Sequence, residues 1–256
     1  MLRDDLGTPV EIPDTVNRIV SLVPSLTESI ARIRPDALVG ATDWCTHPAD
    51  LNVVRIRGTK NPNRDAIAAL EPDLVLANKE ENREIDVRRL REAGLSVWVT
   101  EIETVSQAFA SLARLFALAL RWDVPEWLVK AEEVWSDPAP AQRIRVAVPI
   151  WRDPWMVVGR STFAGDLIAR LGLENIFDRH IDRYPKLPLN EIDRSDLDLV
   201  LLPDEPYPFT SRDGPEAFHK AKTMLVSGRL LTWYGPSLVT ARQQLLDAVT
   251  QALGTR

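Results

Sequence analysis

The chain of 256 residues has one cysteine, Cys45, so an internal disulfide is excluded and the fold must be held by its core. Glycine is scarce, with 11 residues. None of them falls into Gly-x-x-x-x-Gly-Lys, Gly-x-Gly-x-x-Gly or Gly-x-Ser-x-Gly, so phosphate-cradling loops and a nucleophile elbow are not encoded. The three histidines, His47, His180 and His219, stand far apart, and a zinc site of protein ligands lacks its ligand set. No basic run exists, and 31 Lys and Arg against 37 Asp and Glu give a net charge of -6. That balance excludes nucleic acid as an expected partner and disfavours anionic membrane surfaces. The most apolar stretch, Phe109 to Trp122, is broken by Arg114 and Arg121, and is too short and too charged to enter a bilayer. The opening Met1-Leu-Arg-Asp-Asp5 has no basic segment followed by an apolar one. A cytoplasmic location is therefore expected for the chain as it stands, and a periplasmic or cell-surface one if a leader has been removed.

What is present is ordinary for a soluble globular protein: 45% hydrophobic and 27% charged residues, enough to bury two modest cores or one large one. Arg18-Ile-Val-Ser-Leu-Val-Pro24 is a short, β-branched apolar run that predicts a buried strand. Ser25-Leu-Thr-Glu28 then has the spacing of a capping box, with Ser25 as N-cap. Strands are further predicted at 38–42, 72–77 and 95–100, with helices over 63–70, 84–93 and 105–122, the second stopped by Gly94. Pro125 opens another helix that ends near Ser136. After Asp137-Pro-Ala-Pro140 the pattern restarts: strands at 144–150 and 197–202, a helix over 162–171 closed by Gly172, and a terminal helix over 237–253. Strand and helix in alternation predict parallel sheets with helices on their faces. The expected organisation is α/β: an N-terminal lobe at 1–122, a connecting helix and linker at 123–140, and a C-terminal lobe at 141–256.

Parallel sheets bind ligands beyond the carboxyl ends of their strands, and the residues there are the candidates for chemistry. Four of the eight tryptophans, Trp44, Trp151, Trp155 and Trp233, fall on loops after predicted strands, joined by Tyr207 and Tyr234. Aromatics so placed suit the walls of a pocket for a bulky ligand. Trp98, Trp122, Trp127 and Trp135 lie on strands or helices and are expected to pack. Lys79-Glu-Glu-Asn-Arg-Glu84 follows a strand; its acids suit either ligand contacts or the start of the next helix. Cys45 and His47 alternate on one loop and could offer two soft ligands, but with no third ligand nearby the residue count favours a buried thiol beside a surface imidazole.

Several segments together carry a family resemblance. Asp5-Leu-Gly-Thr-Pro-Val-Glu-Ile-Pro13, Arg18 to Glu28, Leu70-Glu-Pro-Asp-Leu-Val75, Trp151-Arg-Asp-Pro-Trp155, Gly172-Leu-Glu-Asn-Ile-Phe177 and Leu231-Thr-Trp-Tyr-Gly235 occur in an order that resembles the helical-backbone class of ABC-transporter solute-binding proteins. That class carries cobalamin, ferric siderophores and haem, and the likeness is greatest to its cobalamin-binding branch. The resemblance implies two Rossmann-like lobes joined by a spine helix, with the ligand held in a cleft and no catalytic residues. It implies ligand contacts from Pro24, Ser25, Trp44, Cys45, His47, Thr59, Lys60, Asn78, Glu80 and Glu81 in the first lobe. From the second lobe it implies Trp151, Arg152, Trp155, Glu205, Tyr207, Trp233 and Tyr234. Asp65 and Glu191 correspond by position to the acids that dock on a permease, and equally suit two helix starts. The expected partner is a small-molecule metal chelate, cobalamin or another corrinoid first and a ferric siderophore next, with a possible ABC permease, no metal ligated by protein side chains, no separate cofactor, no membrane insertion and a monomeric state. The alternatives are a cytoplasmic chelatase-like enzyme using Cys45, His47 and Glu81, and a ligand sensor on the same fold.

Overall fold

The computed structural model describes residues 1–141 and 143–254; positions 142, 255 and 256, all within the expected C-terminal lobe, lie outside the described residues. The chain divides into two compact units. The first comprises Met1–Ile102, Ser106–Lys130 and Tyr234–Pro236, and the second comprises Glu103–Val105, Ala131–Trp233 and the chain from Ser237 onward.

The first unit opens with a small antiparallel pair, β1 (Leu2–Arg3) and β2 (Pro9–Val10). Its main sheet contains β3 (Ile19–Ser21), β4 (Leu38–Ala41), β5 (Val54–Arg55), β6 (Leu74–Asn78) and β7 (Val97–Thr100). The strand order is β5-β4-β3-β6-β7 and every pairing is parallel. Strand β6 reads Leu-Val-Leu-Ala-Asn with all five residues buried. A strand covered on both faces needs an unbroken apolar run rather than an alternating one. The helices are α1 (Pro24–Ala31), α2 (Arg64–Ala69), α3 (Glu84–Glu92), α4 (Val105–Arg114) and α5 (Glu126–Ser136); Val105, the first residue of α4, belongs to the second unit, and the division between the units also falls inside α5, after Lys130.

Local chemistry explains most helix ends. The helix α1 does not begin as the capping-box spacing predicts. Val23 is the N-cap, makes no side-chain capping bond, and Pro24 occupies the first turn; Ser25 is already inside the helix. Proline needs no amide donor there and its fixed φ suits a helix start. Asn63 caps α2, its Oδ1 accepting from the Ala66 amide at 3.2 Å. The α-helix predicted over 105–122 is α-helical only to Arg114. It continues as π-helical turns over Leu115–Leu120 and stops at Arg121, whose φ of 56° is left-handed.

The second unit has β8 (Ile144–Ala147), β9 (Pro149–Trp151), β10 (Met156–Val157), β11 (Leu173–Asn175), β12 (Leu199–Pro203) and β13 (Lys222–Val226). Four of these form a parallel sheet in the order β11-β8-β12-β13; β9 and β10 make an antiparallel hairpin. The single strand predicted at 144–150 is thus two, because the chain leaves the sheet after Ala147. Its helices are α6 (Phe163–Arg170), α7 (Leu189–Ile192), α8 (Gly228–Thr232) and α9 (Leu238–Gly254). Thr162 caps α6 by accepting from the Gly165 amide at 3.1 Å. Gly94 and Gly172 follow α3 and α6 at φ of +81° and +75°, the left-handed turn that stops a helix and that glycine adopts without steric cost. Among the described residues no helix is long and apolar enough to cross a membrane.

Asp193 knits the second unit together. It is buried at the end of α7, and its carboxylate accepts the backbone amides of His219 and Lys220 at 3.0 Å each and of Ala221 at 3.2 Å, just before β13. Burial alone would raise its pKa, but the three amides and the Lys220 charge outweigh it, and the carboxyl sits below its ordinary value. A lowered carboxylate pKa contributes stability above the unfolded value, which is lost as pH falls through the folded one. Asp193→Asn, which cannot accept at both positions, is expected to cost about 1–3 kcal/mol at pH 7. The deficit should shrink as pH falls below about 3.9. Urea unfolding across that range checks both; a cost independent of pH contradicts the role given to the carboxylate.

Candidate functional site

In the first unit the topology gathers the predicted residues on one edge. Pro24 and Ser25 follow β3; Trp44, Cys45 and His47 follow β4; Thr59 and Lys60 follow β5; Asn78 ends β6, with Glu80 and Glu81 just after it. Parallel strands place all these positions at the carboxyl edge of one sheet. They do not all face outward. Trp44 is 65% exposed, and Lys60 and His47 are exposed. Ser25 and Asn78 are buried. The Cys45 thiol is enclosed, held by Thr27 Oγ1 at 3.0 Å and Thr42 Oγ1 at 3.1 Å, and burial pushes its pKa up. It therefore presents no thiolate to a solute.

The loop after β6 is built by two asparagines. Asn78 Oδ1 accepts the amides of Glu80 at 2.8 Å and Glu81 at 3.3 Å, bending the chain into a tight turn. Asn82 Oδ1 accepts the Asn78 amide at 2.8 Å. Lys60 Nζ donates to the Glu80 carbonyl at 2.5 Å. Glu81 in turn accepts the Tyr234 hydroxyl at 3.0 Å. Tyr234 is buried, and its phenol pKa lies well above the ordinary value, first through burial and then through the Glu81 charge. Tyr234 thus holds Glu81 rather than facing solvent itself. Asn82 was not a sequence candidate. The only trace of it is its place inside the charged run that follows a strand.

In the second unit the carboxyl edge is aromatic. Trp151 ends β9, four residues past the end of β8, and is 43% exposed; Tyr207 lies four residues past β12. Their rings meet edge to face at 5.6 Å. Tyr207 packs on Phe209 at 4.6 Å, and Phe209 stacks with Trp155 at 5.9 Å, which meets Phe218 at 5.4 Å. Trp155 is buried in this cluster. Arg152 lies 5.4 Å from the Trp155 ring. Its guanidinium is held by Asp213 and by Glu216, the latter at 2.5 Å, and both acids raise its pKa. Asp213 also accepts the Tyr207 hydroxyl at 2.7 Å. Asp213 lies in the loop before a single 3-10 turn at Pro215–Ala217 that carries Glu216, a segment too short for any spacing in the sequence to mark. Arg152 is thus held by two carboxylates and linked through Asp213 to the Tyr207 hydroxyl.

Glu205, just past β12, is half-buried beside Trp233 and Gly228. A Cβ on Gly228 would come within 2.3 Å of Glu205 Cγ and 2.8 Å of its carbonyl oxygen, so only glycine admits this approach. One carboxylate oxygen of Glu205 is buried without a hydrogen-bond partner. Asp65 and Glu191 are exposed in the first turns of α2 and α7, where the helix dipole favours them. Among the described residues no three His, Cys, Asp or Glu side chains stand where they could share a metal ion.

The comparisons bear on this arrangement. The chain is 22% identical over 249 residues to the vitamin B12-binding protein of Pectobacterium carotovorum, covering 91% of this chain and 88% of that one. It is 26% identical over 191 residues to the uncharacterized ABC transporter substrate-binding lipoprotein YvrC of Bacillus subtilis, covering 68% and 60%. The periplasmic heme-binding protein RhuT from Roseiflexus superposes with a TM-score of 0.75 at 20% identity, over 93% of this chain and 99% of that one. The fold is that of the two-lobed solute-binding proteins. No family model matches the chain. The resemblance drawn from short motifs is nonetheless borne out along most of its length, and the relatives carry the names of binding proteins, not enzymes. The solute-binding fold here comprises the two parallel-sheet lobes described above.

Burial raises the Glu205 pKa most, the Trp233 hydrogen bond lowers it, and Asp204 raises it further. A raised carboxyl pKa means stability that is complete below the unfolded value and lost as pH rises through the folded one. Glu205→Gln removes that charge and keeps an acceptor for Trp233. It is expected to raise Tm at pH 7 by roughly 2–4 °C. The advantage should vanish near pH 4. Calorimetric scans at the two pH values test this, and a lower Tm for the variant at pH 7 contradicts it.

Proposed function

We propose that this chain is a solute-binding protein for a metal chelate, with cobalamin or a related corrinoid first and haem or a ferric siderophore next, serving ABC-type uptake. The observation that carries the reading is the placement of exposed tryptophan. Trp44 at 65% and Trp151 at 43% are the exposed tryptophans among eight, and each stands at the carboxyl edge of its lobe's parallel sheet. Leaving such rings in water forfeits burial energy, and flat apolar faces at a ligand edge suit a macrocycle. Polar groups on the same edges, including Lys60, Glu81 and Glu205, suit hydrogen bonds to its periphery. The vitamin B12-binding relative supports the corrinoid, and the heme-binding structural neighbour keeps the porphyrin in view. A role in uptake puts the protein outside the cytoplasmic membrane, in the periplasm or at the cell surface, as the lipoprotein relative and the periplasmic neighbour suggest. Asp65 and Glu191, one exposed acid on each lobe, are the proposed permease contacts.

Calorimetric titration with cyanocobalamin, and in parallel with hemin and a ferric siderophore, is expected to show saturable one-to-one binding by one of them. Trp44→Ala and Trp151→Ala should each weaken it about tenfold, near 1.4 kcal/mol. Absence of binding to all three by the folded protein overturns the reading, as does full affinity in the double variant. The docking role is tested separately. Asp65→Lys with Glu191→Lys should leave solute affinity unchanged and abolish stimulation of the transporter's ATP hydrolysis; unchanged stimulation refutes it.

A further inference from the structure

Asn82 links the ends of three strands of the first lobe's sheet at its carboxyl edge. Its side chain is buried just after β6. Its Oδ1 accepts the amide of Asn78, the last residue of β6, at 2.8 Å. Its Nδ2 donates to the carbonyl of Leu22, just past β3, at 3.3 Å, and to the carbonyl of Thr59, past β5, at 3.0 Å. One amide group therefore joins the ends of three strands that are not all neighbours: β3 and β6 pair directly, but β5 lies two places from β3 across β4. Nothing in the sheet's own hydrogen bonding connects the β5 loop to the β6 loop. Asn82 does so, together with the Lys60 bond to the Glu80 carbonyl.

We propose that Asn82 is a positioning residue for solute binding: a clasp that holds the loops carrying Thr59, Lys60, Glu80 and Glu81 in one arrangement before the solute arrives. The inference rests on the solute-binding reading above and adds a residue that reading does not use. The chemistry of the clasp is specific. Both donors and the acceptor of a primary amide are engaged, so no other side chain of this size reproduces it. A carboxylate keeps the acceptor for Asn78 but sets negative oxygens against the carbonyls of Leu22 and Thr59. Alanine and serine leave both carbonyls and the Asn78 amide without this partner inside the protein. A surface fixed in advance spends less of its binding energy on ordering loops.

The test compares Asn82→Asp and Asn82→Ser with the parent. Hydrogen exchange should rise at least tenfold at the Asn78 amide in Asn82→Ser, and at the Thr59–Lys60 and Glu80–Glu81 segments in both variants, with α3 and β7 unchanged. Affinity for whichever of cyanocobalamin, hemin and the ferric siderophore binds the parent should fall about tenfold, with a more unfavourable binding entropy. Asp4→Asn is the control. Asp4 is buried, accepts the amides of Leu6 and Thr8 and pairs with Arg91 at 2.6 Å, remote in sequence from every candidate contact. It should lower the lobe's stability while leaving affinity unchanged. Parent-like exchange in both loops overturns the clasp. So does faster exchange with parental affinity, or a loss of affinity that Asp4→Asn reproduces at equal stability. If none of cyanocobalamin, hemin and the ferric siderophore binds the parent, the functional reading fails by itself, and parent-like exchange at these loops still refutes the clasp. Should Asn82→Asp fail to fold, Asn82→Ser carries the same comparison.

Discussion

Parallel strand pairing is the constraint from which the rest of this protein follows. Strands that run the same way must each be followed by a return, and every return leaves from the same edge of its sheet. At that edge the ladder stops, and the last amides and carbonyls need partners from elsewhere. In the first lobe the partners are side chains: Asn78 and Asn82 close the turn after β6, and Asn63 caps α2. In the second lobe Asp193 plays the same part near the opposite end of the strands, taking three amides ahead of β13. Polar residues concentrate where backbone demand is highest.

The two edges solve the problem of presenting a surface differently. The first is polar and hydrogen-bonded, with acids and a lysine set on turns that buried amides hold in place. The second is a run of rings from Trp151 to Phe218, kept in register by packing and by the Arg152, Asp213, Glu216 and Tyr207 cluster. The Arg152 charge is satisfied by two carboxylates of its own lobe. In the first unit the Tyr234 hydroxyl is likewise spent on Glu81.

The strand and helix pattern was legible because apolar runs and helix stops are local. Gly94 and Gly172 end helices where their spacing predicts, at the positive φ that glycine tolerates. Ser25 misled because a capping box and a Pro-initiated helix share the same residues, and the proline won. The strand at Lys222–Val226 was not anticipated. It is a sheet edge with alternating exposure and no long apolar run, so its pattern resembles a loop's.

Sequence alone determined the class of the fold, the absence of disulfide and phosphate-loop chemistry, and the set of positions that follow strands, because each of these depends on residue identity and short-range spacing. Tertiary structure decided which of those residues face outward. Cys45 lies inward against two threonines while Trp44 beside it is exposed, a difference no spacing rule contains. It also decided that Asn82 joins three strand ends and that Arg152 is neutralised by Asp213 and Glu216, some 60 residues away. The physical reason is the same in each case: burial and hydrogen-bond partnership are made between segments distant in the chain, and only folding brings those segments together.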